Sequence, residues 1–276
     1  MDVSVSVEGD EKVDCWNSVT FDDELKSILD ANAEVIFSYW DEDKRLMERH
    51  LTSEPYESLL SNPYSQRYNQ VLENQLLKAL ARRKIRVWHY ARMTDNEVEL
   101  IKQRVMLSTL PGLRARLDKL VSDGLLTDVQ ANEIFQTSPF QNQSDIRAGK
   151  FYAVTIPVPA RTAGTEDLLK FWGGESAYFR FCDGPILKSL AKIGNPRIFE
   201  VEINLRDSVN AYAVAETVLR AEAVRLGVNL IIDGSDIAVR NQCNDIRVIR
   251  AHTCGDELFE CVGNSYPDGC AVVPRR

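Results

Sequence analysis

The chain lacks long hydrophobic runs. None of its 276 residues falls in a stretch of about 18 consecutive apolar residues, the length expected of a membrane-spanning helix. Its first ten residues, Met1–Asp10, are polar and acidic, without the basic and apolar segments of a secretory signal peptide. The sequence therefore predicts a cytoplasmic protein that has no membrane partner.

Cysteine and histidine are scarce and scattered. With 44% apolar residues the chain can bury a sizeable core without disulfides, so we expect reduced thiols. No two cysteines have the spacing of two to four residues that structural zinc sites use, and we predict no metal site. The cysteines are Cys15, Cys182, Cys243, Cys254, Cys261 and Cys270, and the histidines are His50, His89 and His252.

Several common catalytic motifs are also absent. The sequence has no phosphate-binding loop, no dinucleotide-binding glycine fingerprint, no Gly-x-Ser-x-Gly elbow and no His-Glu-x-x-His pair. Any chemistry must therefore come from residues that short motifs do not reveal.

The net charge of -8 is concentrated at the start, because residues 1–30 hold nine acids and two lysines. The negative balance argues against a protein that coats nucleic acid, since such affinity comes from neutralising phosphates. A basic stretch leaves the alternative of a polyanion-binding face: Lys78, Arg82, Arg83, Lys84, Arg86 and Arg92.

The first 84 residues are predicted to be helical after a loose tail over residues 1–17. Apolar residues recur at three- and four-residue steps from Phe21 to Trp40 and from Tyr68 to Lys84, with a shorter helix over Asp41–His50. Asp22 or Asp23 can cap the first helix. The acidic start is either a site for a regulatory partner or a solvated tail.

At Ile85 the helical spacing gives way to alternating apolar and polar residues. The pattern over residues 85–276 predicts a second domain of α+β class. Thr94 and Glu97 form a capping box for one of its helices, Thr127 or Asp128 caps another, and Ala211–Leu226 is a long helix. The predicted strands are 85–90, 151–156, 176–181, 197–205, 229–232, 237–240, 246–252 and 258–262.

Three segments of this second domain, taken in order, carry a resemblance. Trp88-His89-Tyr90 is followed by the capped helix and by Leu107-Ser108-Thr109. Gly149-Lys150-Phe151-Tyr152-Ala153 is a glycine-led strand, and Asp236 opens Asp236-Ile237-Ala238-Val239 before a second Ile/Val-rich segment. Together they resemble the diphtheria-toxin and poly(ADP-ribose)-polymerase class of ADP-ribosyltransferases, over residues 85–250. Most of that family has Glu where this chain has Asp236, although a subset has Asp.

The resemblance implies a split, mostly antiparallel β core with intervening helices, and NAD as the ADP-ribose donor. It implies catalytic roles for His89, Tyr152 and Asp236. Cleavage of the nicotinamide–ribose bond develops an oxocarbenium-like sugar, which a carboxylate stabilises, while an aromatic ring holds the cationic nicotinamide. Donor-binding roles fall to Tyr90, Arg92, Ser108 and Thr109, and to a second aromatic residue that is either Trp172 or Tyr178.

The function so implied is that of an NAD-dependent mono-ADP-ribosyltransferase acting on a macromolecule, either a protein side chain or a nucleic-acid base. A toxin or an effector in phage conflict is compatible with it. An RNA 2′-phosphotransferase would need an arginine-rich phosphate-binding site, which is not evident in the sequence. The alternative from another class is a catalytically inactive transferase fold that serves as a binding module.

Overall fold

The computed structural model describes residues 12–52, 61–162, 164–232, 234–240, 246–253 and 255–262. Cys243, Cys254 and Cys270, and the start of the predicted tail, lie outside these residues. Helices are α1 Asp23–Ala31, α2 Ala33–Thr52, α3 Ser65–Gln70, α4 Leu77–Leu80, α5 Asp95–Gln103, α6 Leu110–Ser122, α7 Asp128–Thr137, α8 Ser144–Arg147, α9 Thr165–Lys170, α10 Glu175–Tyr178, α11 Pro185–Leu190, α12 Tyr212–Arg225 and α13 Glu257–Val262. A π-helical segment, Val71–Leu76, joins α3 to α4.

Six strands form one sheet: β1 Val13–Asp14, β2 Lys84–Met93, β3 Phe151–Val154, β4 Asn195–Asn204, β5 Asp236–Val239 and β6 Arg247–His252. Their order is β5-β3-β2-β4-β6, and β1 pairs in parallel with the start of β2. The β2–β3, β3–β5 and β4–β6 pairs are antiparallel. The fold is therefore α+β, with helices around a mainly antiparallel sheet. None of the described helices is long and apolar enough to cross a membrane.

The chain divides into two compact units. The first comprises the residues up to Arg86 together with Asn204–Arg206 and Ala211–Ser235, and the second comprises Val87–Ile203, Asp207–Asn210 and the residues from Asp236 onward. The structural division at Arg86 falls close to the predicted boundary near Ile85. It differs in α12, which the sequence places in the second domain and which belongs to the first unit.

The core of the first unit is helical, with α12 packed among the N-terminal helices. The Arg220 guanidinium of α12 lies 4.6 Å from the centroid of the Trp40 ring, and the Tyr39 and Tyr68 rings stack at 3.7 Å. Apolar residues of the sequentially distant α12 thus share a core with the N-terminal helices: Leu25, Leu29, Ile36, Leu76, Leu80, Val214, Val218 and Leu219 are all buried.

The basic stretch of the first unit is neutralised by acids from the N-terminal segment. Arg82 pairs with Glu24, and Arg83 pairs with both Asp22 and Glu24 at 2.6 and 2.8 Å. Arg86 pairs with the buried Asp14. These pairs correct the polyanion interpretation, because three of the six basic residues already have carboxylate partners.

Within the described residues, the second unit contains at least two hydrophobic clusters. One lies among α6, α7 and α11 and includes Leu117, Ile134, Trp172 and Leu190. The other covers the sheet, where Trp88 and Tyr90 of β2 pack with Leu169 of α9 and with Phe259 of α13. The predicted capping box of α5 is confirmed: Thr94 Oγ1 accepts from Glu97 N, and Glu97 Oε2 accepts from Thr94 N at 2.9 Å.

Four predicted elements were wrong. Residues 176–181 and 258–262 were predicted as strands but fall on α10 and α13, and 229–232 is not a strand. A short apolar run is compatible with both a helix and a strand, so the sequence could not distinguish the two kinds of element in such segments. The single helix predicted over Phe21–Trp40 is interrupted at Asn32, whose side-chain amide donates to the Ile28 carbonyl at 2.7 Å and competes with the helical backbone.

Candidate functional site

Three neighbouring strands carry the predicted catalytic residues. His89 lies on β2, Tyr152 on β3 and Asp236 at the start of β5, and these strands are consecutive in the sheet. Trp88 is opposite Val154, and Val154 is opposite Asp236. The topology thus brings the three backbone positions close to one another.

Their side chains do not converge. Residues opposite each other in an antiparallel pair point to the same face, and successive residues alternate between faces. Tyr152 and Asp236 therefore share the face of Trp88, whereas His89 points to the other face. There its ring lies 4.7 Å from the Phe151 ring and 5.9 Å from the Phe199 ring. The expectation of His89 at the ribose hydroxyls is corrected accordingly.

His89 is instead tied to the backbone of the tyrosine strand. Its Nδ1 lies 2.8 Å from the carbonyl oxygen of Tyr152, and since a carbonyl only accepts, Nδ1 carries the proton and donates. Burial, together with the nearby Arg116 cation, outweighs the hydrogen bond to the Tyr152 carbonyl and lowers the pKa of His89 to about 4. The neutral imidazole thus positions β3 against β2, beside the tyrosine.

Tyr152 is an exposed aromatic residue, with 43% of its surface accessible. Its hydroxyl donates to the Ile146 carbonyl at 3.1 Å. Partial burial raises the pKa of the phenol, on which four charges act: Arg147 and Arg240 lower it, and Glu175 and Asp236 raise it. The phenol is thus within electrostatic range of two guanidinium groups and two carboxylates.

We define the Tyr152 surface as Arg147, Tyr152, Glu175, Phe179, Asp236 and Arg240. Within it, the Arg147 guanidinium pairs with Glu175, and its Nε donates to Gln143 Oε1 at 2.6 Å. The same guanidinium lies 4.9 Å from the centroid of the Phe179 ring, which is 46% exposed. Arg180 approaches that ring at 6.0 Å.

Glu175 reaches this surface because of the two glycines before it. Gly173 and Gly174 have φ of +85° and +62°, which side chains other than glycine rarely adopt. A Cβ on Gly173 would also meet the Ala177 Cβ at 2.7 Å. Four residues of this surface were not predicted from the sequence: Arg147, Glu175, Phe179 and Arg240. The segment Gly173-Gly174-Glu175 is the signal that could have revealed one of them.

Asp236 is exposed at the first position of β5, and its backbone is fixed by Asn210. The Asn210 amide donates to the Asp236 carbonyl, and its Oδ1 accepts from Ala238 N at 3.1 Å. Because its backbone is fixed by these hydrogen bonds and its carboxylate is exposed, Asp236 is suited to bind a ligand.

Neither candidate for the second aromatic residue is accessible. Trp172 is fully buried, and its Nε1 donates to Glu97 Oε2 at 2.8 Å. Tyr178 is buried on α10, with its ring 5.5 Å from the Phe171 ring. The expectation that one of them closes a nicotinamide pocket is corrected for both.

The other predicted donor-binding residues have structural partners. The Tyr90 hydroxyl is buried and bonds the Val158 amide and carbonyl, each at 2.8 Å. Arg92 is fully buried and donates to the Ile193 carbonyl at 2.9 Å, so it does not meet a pyrophosphate. Thr109 caps α6 by accepting from Gly112 N at 3.1 Å. Ser108 is exposed and bridges to Lys150, just before the tyrosine strand.

Among the residues that the structure describes, no three His, Cys, Asp or Glu side chains are grouped so as to hold a metal ion. Cys15 is buried, which raises the pKa of its thiol, and Cys182 and Cys261 are free and exposed. No protein-family model, no curated protein and no solved structure matches this chain.

Proposed function

We propose that the chain is an NAD-dependent mono-ADP-ribosyltransferase whose donor site is the Tyr152 surface. One observation carries the proposal: an exposed tyrosine ring on β3 shares a sheet face with the exposed carboxylate of Asp236 on the neighbouring strand. The order of His89, Tyr152 and Asp236 across three adjacent strands supports a transferase-type split β core.

The residues present suit the first half of the reaction. The Tyr152 ring can stack on the flat, cationic nicotinamide of NAD⁺ and hold it by cation–π attraction. As the nicotinamide–ribose bond breaks, positive charge develops on the sugar, as it does in glycoside hydrolysis. Asp236 provides a carboxylate on the same face to stabilise that charge.

Two further residues have supporting roles. The exposed Arg240 guanidinium, whose charge acts on the Tyr152 phenol, can pair with the NAD⁺ pyrophosphate. His89 acts as a positioning residue, because its Nδ1 donates to the Tyr152 carbonyl and holds the strand that presents the ring. This replaces the role at the ribose hydroxyls that the resemblance implied for it.

One observation favours the second candidate function, an inactive transferase fold that works as a binding module. His89 faces away from Tyr152 and Asp236, and the predicted donor-binding residues Tyr90, Arg92 and Trp172 are buried. A transferase fold that had lost its catalytic site would keep its strands, while the side chains at the former site positions would contribute to packing alone.

An NAD⁺ turnover assay separates the two candidates. The full chain is incubated with NAD⁺, alone and with protein or nucleic-acid fractions of a cell lysate, and released nicotinamide is measured. Transferase function predicts nicotinamide release, label in one of the two fractions, and an NAD⁺-dependent rise in melting temperature. Absence of release with every fraction, together with an unchanged melting temperature, would support the binding module and end the transferase proposal.

A further inference from the structure

We propose that Arg147 is a modification site, at which the chain transfers ADP-ribose from NAD⁺ to its own guanidinium group. The inference rests on the proposed function and adds to it the chemical class of the acceptor, a guanidinium nitrogen. It is based on the contacts of Arg147 and on its position near Tyr152, the residue that would hold the nicotinamide.

Arg147 is held by three contacts of different kinds. Its Nη1 donates to the Glu175 carboxylate, its Nε donates to Gln143 Oε1 at 2.6 Å, and its Cζ lies 4.9 Å from the Phe179 centroid. A guanidinium held by hydrogen bonds and a neighbouring ring has little rotamer freedom left, which lowers the entropic cost of positioning it as a nucleophile. The side chain is partly exposed, so a ligand can reach it.

Arg147 is also close to the reacting end of the proposed donor. The Tyr152 hydroxyl donates to the carbonyl of Ile146, the residue before Arg147, at 3.1 Å. The charges of Arg147, Glu175 and Asp236 all act on this phenol. With nicotinamide stacked on Tyr152, the ribose carbon attached to it would lie among these same groups. Nucleophile, charge-stabilising carboxylate and leaving group would thus share one surface.

The step balances in atoms and charge. A guanidinium nitrogen of Arg147 forms a bond to C1′ of the ribose, and the bond from C1′ to the nicotinamide nitrogen breaks. The electron pair of the broken bond leaves with nicotinamide, which becomes neutral. The proton lost from the guanidinium passes to the Glu175 carboxylate and then to solvent, so Glu175 acts as the general base.

Two other arginines of the same unit lack part of this arrangement. Arg180 shares the Phe179 ring at 6.0 Å, but within the described ranges no carboxylate pairs with it. Arg116 has a carboxylate, Glu97 at 2.8 Å, and a ring, Trp172 at 4.5 Å, but that ring is fully buried. Arg147 alone of the three combines a carboxylate partner with an exposed ring, which predicts that modification is selective.

Peptide mapping by mass spectrometry after incubation of the full chain with NAD⁺ tests the proposal, with released nicotinamide measured in the same tube. We expect the mass of ADP-ribose on the peptide that contains Arg147. Arg147→Lys should remove it, and the matched control Arg180→Lys should leave both the mark and nicotinamide release unchanged. Glu175→Gln should slow marking of Arg147 by about 10²-fold or more, the scale of a lost general base.

The remaining outcomes overturn the inference in distinguishable ways. Nicotinamide release with the mark on another residue, or with no mark, rejects Arg147 as the acceptor and leaves the proposed function standing. Absence of nicotinamide release from the wild-type chain under every condition rejects the proposed function and this inference with it. Wild-type marking in Glu175→Gln would show that the ion pair does not activate the arginine.

Discussion

In the described part of the second unit, an arginine that lies near an aromatic ring and pairs with a glutamate occurs twice. In the closed cluster, Arg116 lies 4.5 Å from the Trp172 ring and 2.8 Å from Glu97. In the open cluster, Arg147 lies 4.9 Å from the Phe179 ring and pairs with Glu175. The residue types match, but Trp172 is fully buried and Phe179 is 46% exposed.

The difference shows how burial decides what the same chemistry does. Burial alone would raise the pKa of Glu97, but Arg116 and hydrogen bonds from Thr94 and Trp172 outweigh it and lower the pKa. These hydrogen bonds hold the Glu97 carboxylate within the packed structure. Removal of its partners would therefore leave a largely buried charge without compensation. In the open cluster the charges are partly hydrated, contribute little to stability, and are accessible to a ligand.

The largest effect that separates the clusters concerns stability. We expect Trp172→Ala to lower the free energy of unfolding by about 3–5 kcal/mol, because it opens a cavity and removes a donor from Glu97. Phe179→Ala, the counterpart in the open cluster, should change it by less than about 0.5 kcal/mol. Chemical denaturation measures both. Equal losses would mean that the open cluster is also part of the core.

The next effect concerns activity. Asp236→Ala should lower the rate of nicotinamide release by about 10²–10³-fold while leaving the melting temperature unchanged, because one electrostatic stabiliser of the transition state is removed. Asp236→Glu should keep part of the rate. Asp183→Ala, at another exposed aspartate of the second unit, is the control and should behave as the wild type. A wild-type rate in Asp236→Ala would remove Asp236 from the mechanism.

A smaller effect concerns the pH dependence of stability. The folded pKa of His89 is about 4, well below the ordinary value of about 6.5. Between these values the unfolded chain binds the proton and the folded chain does not, so the contribution of His89 lowers stability as pH falls from about 7 to 4. His89→Gln keeps a donor for the Tyr152 carbonyl and removes the titration. Unfolding at pH 7 and pH 5 should therefore show a larger loss of stability for the wild type than for the variant, and equal losses would contradict a histidine that is neutral in the folded state.

Features set by local chemistry could be predicted from the sequence. The capping boxes that begin at Thr94 and Thr127 depend on a hydroxyl and a Glu or Gln three residues later, and both are present. The alternating strands that contain His89 and Arg197 are also present, as β2 and β4. In each case the determining residues lie within a few positions of one another.

Features set by tertiary packing could not be predicted. Nothing near Trp172 shows that Glu97, 75 residues earlier, accepts from its indole, and nothing near Arg83 shows that Asp22 pairs with it. The face to which His89 points follows from the pairing of Trp88 with Val154, which a single strand does not encode. The site residues predicted from the sequence were therefore a mixture of exposed groups and core groups, which only the fold separates.

The central claim is that the Tyr152 surface, which contains the open cluster, is where NAD⁺ reacts. The most direct test is the rate of nicotinamide release at limiting NAD⁺ for Tyr152→Ala beside Tyr212→Ala, an exposed tyrosine of the first unit. We expect Tyr152→Ala to lose about tenfold or more, from the stacking and cation–π contact with nicotinamide, and Tyr212→Ala to match the wild type. A wild-type rate in Tyr152→Ala, or equal losses in both variants, would contradict the claim.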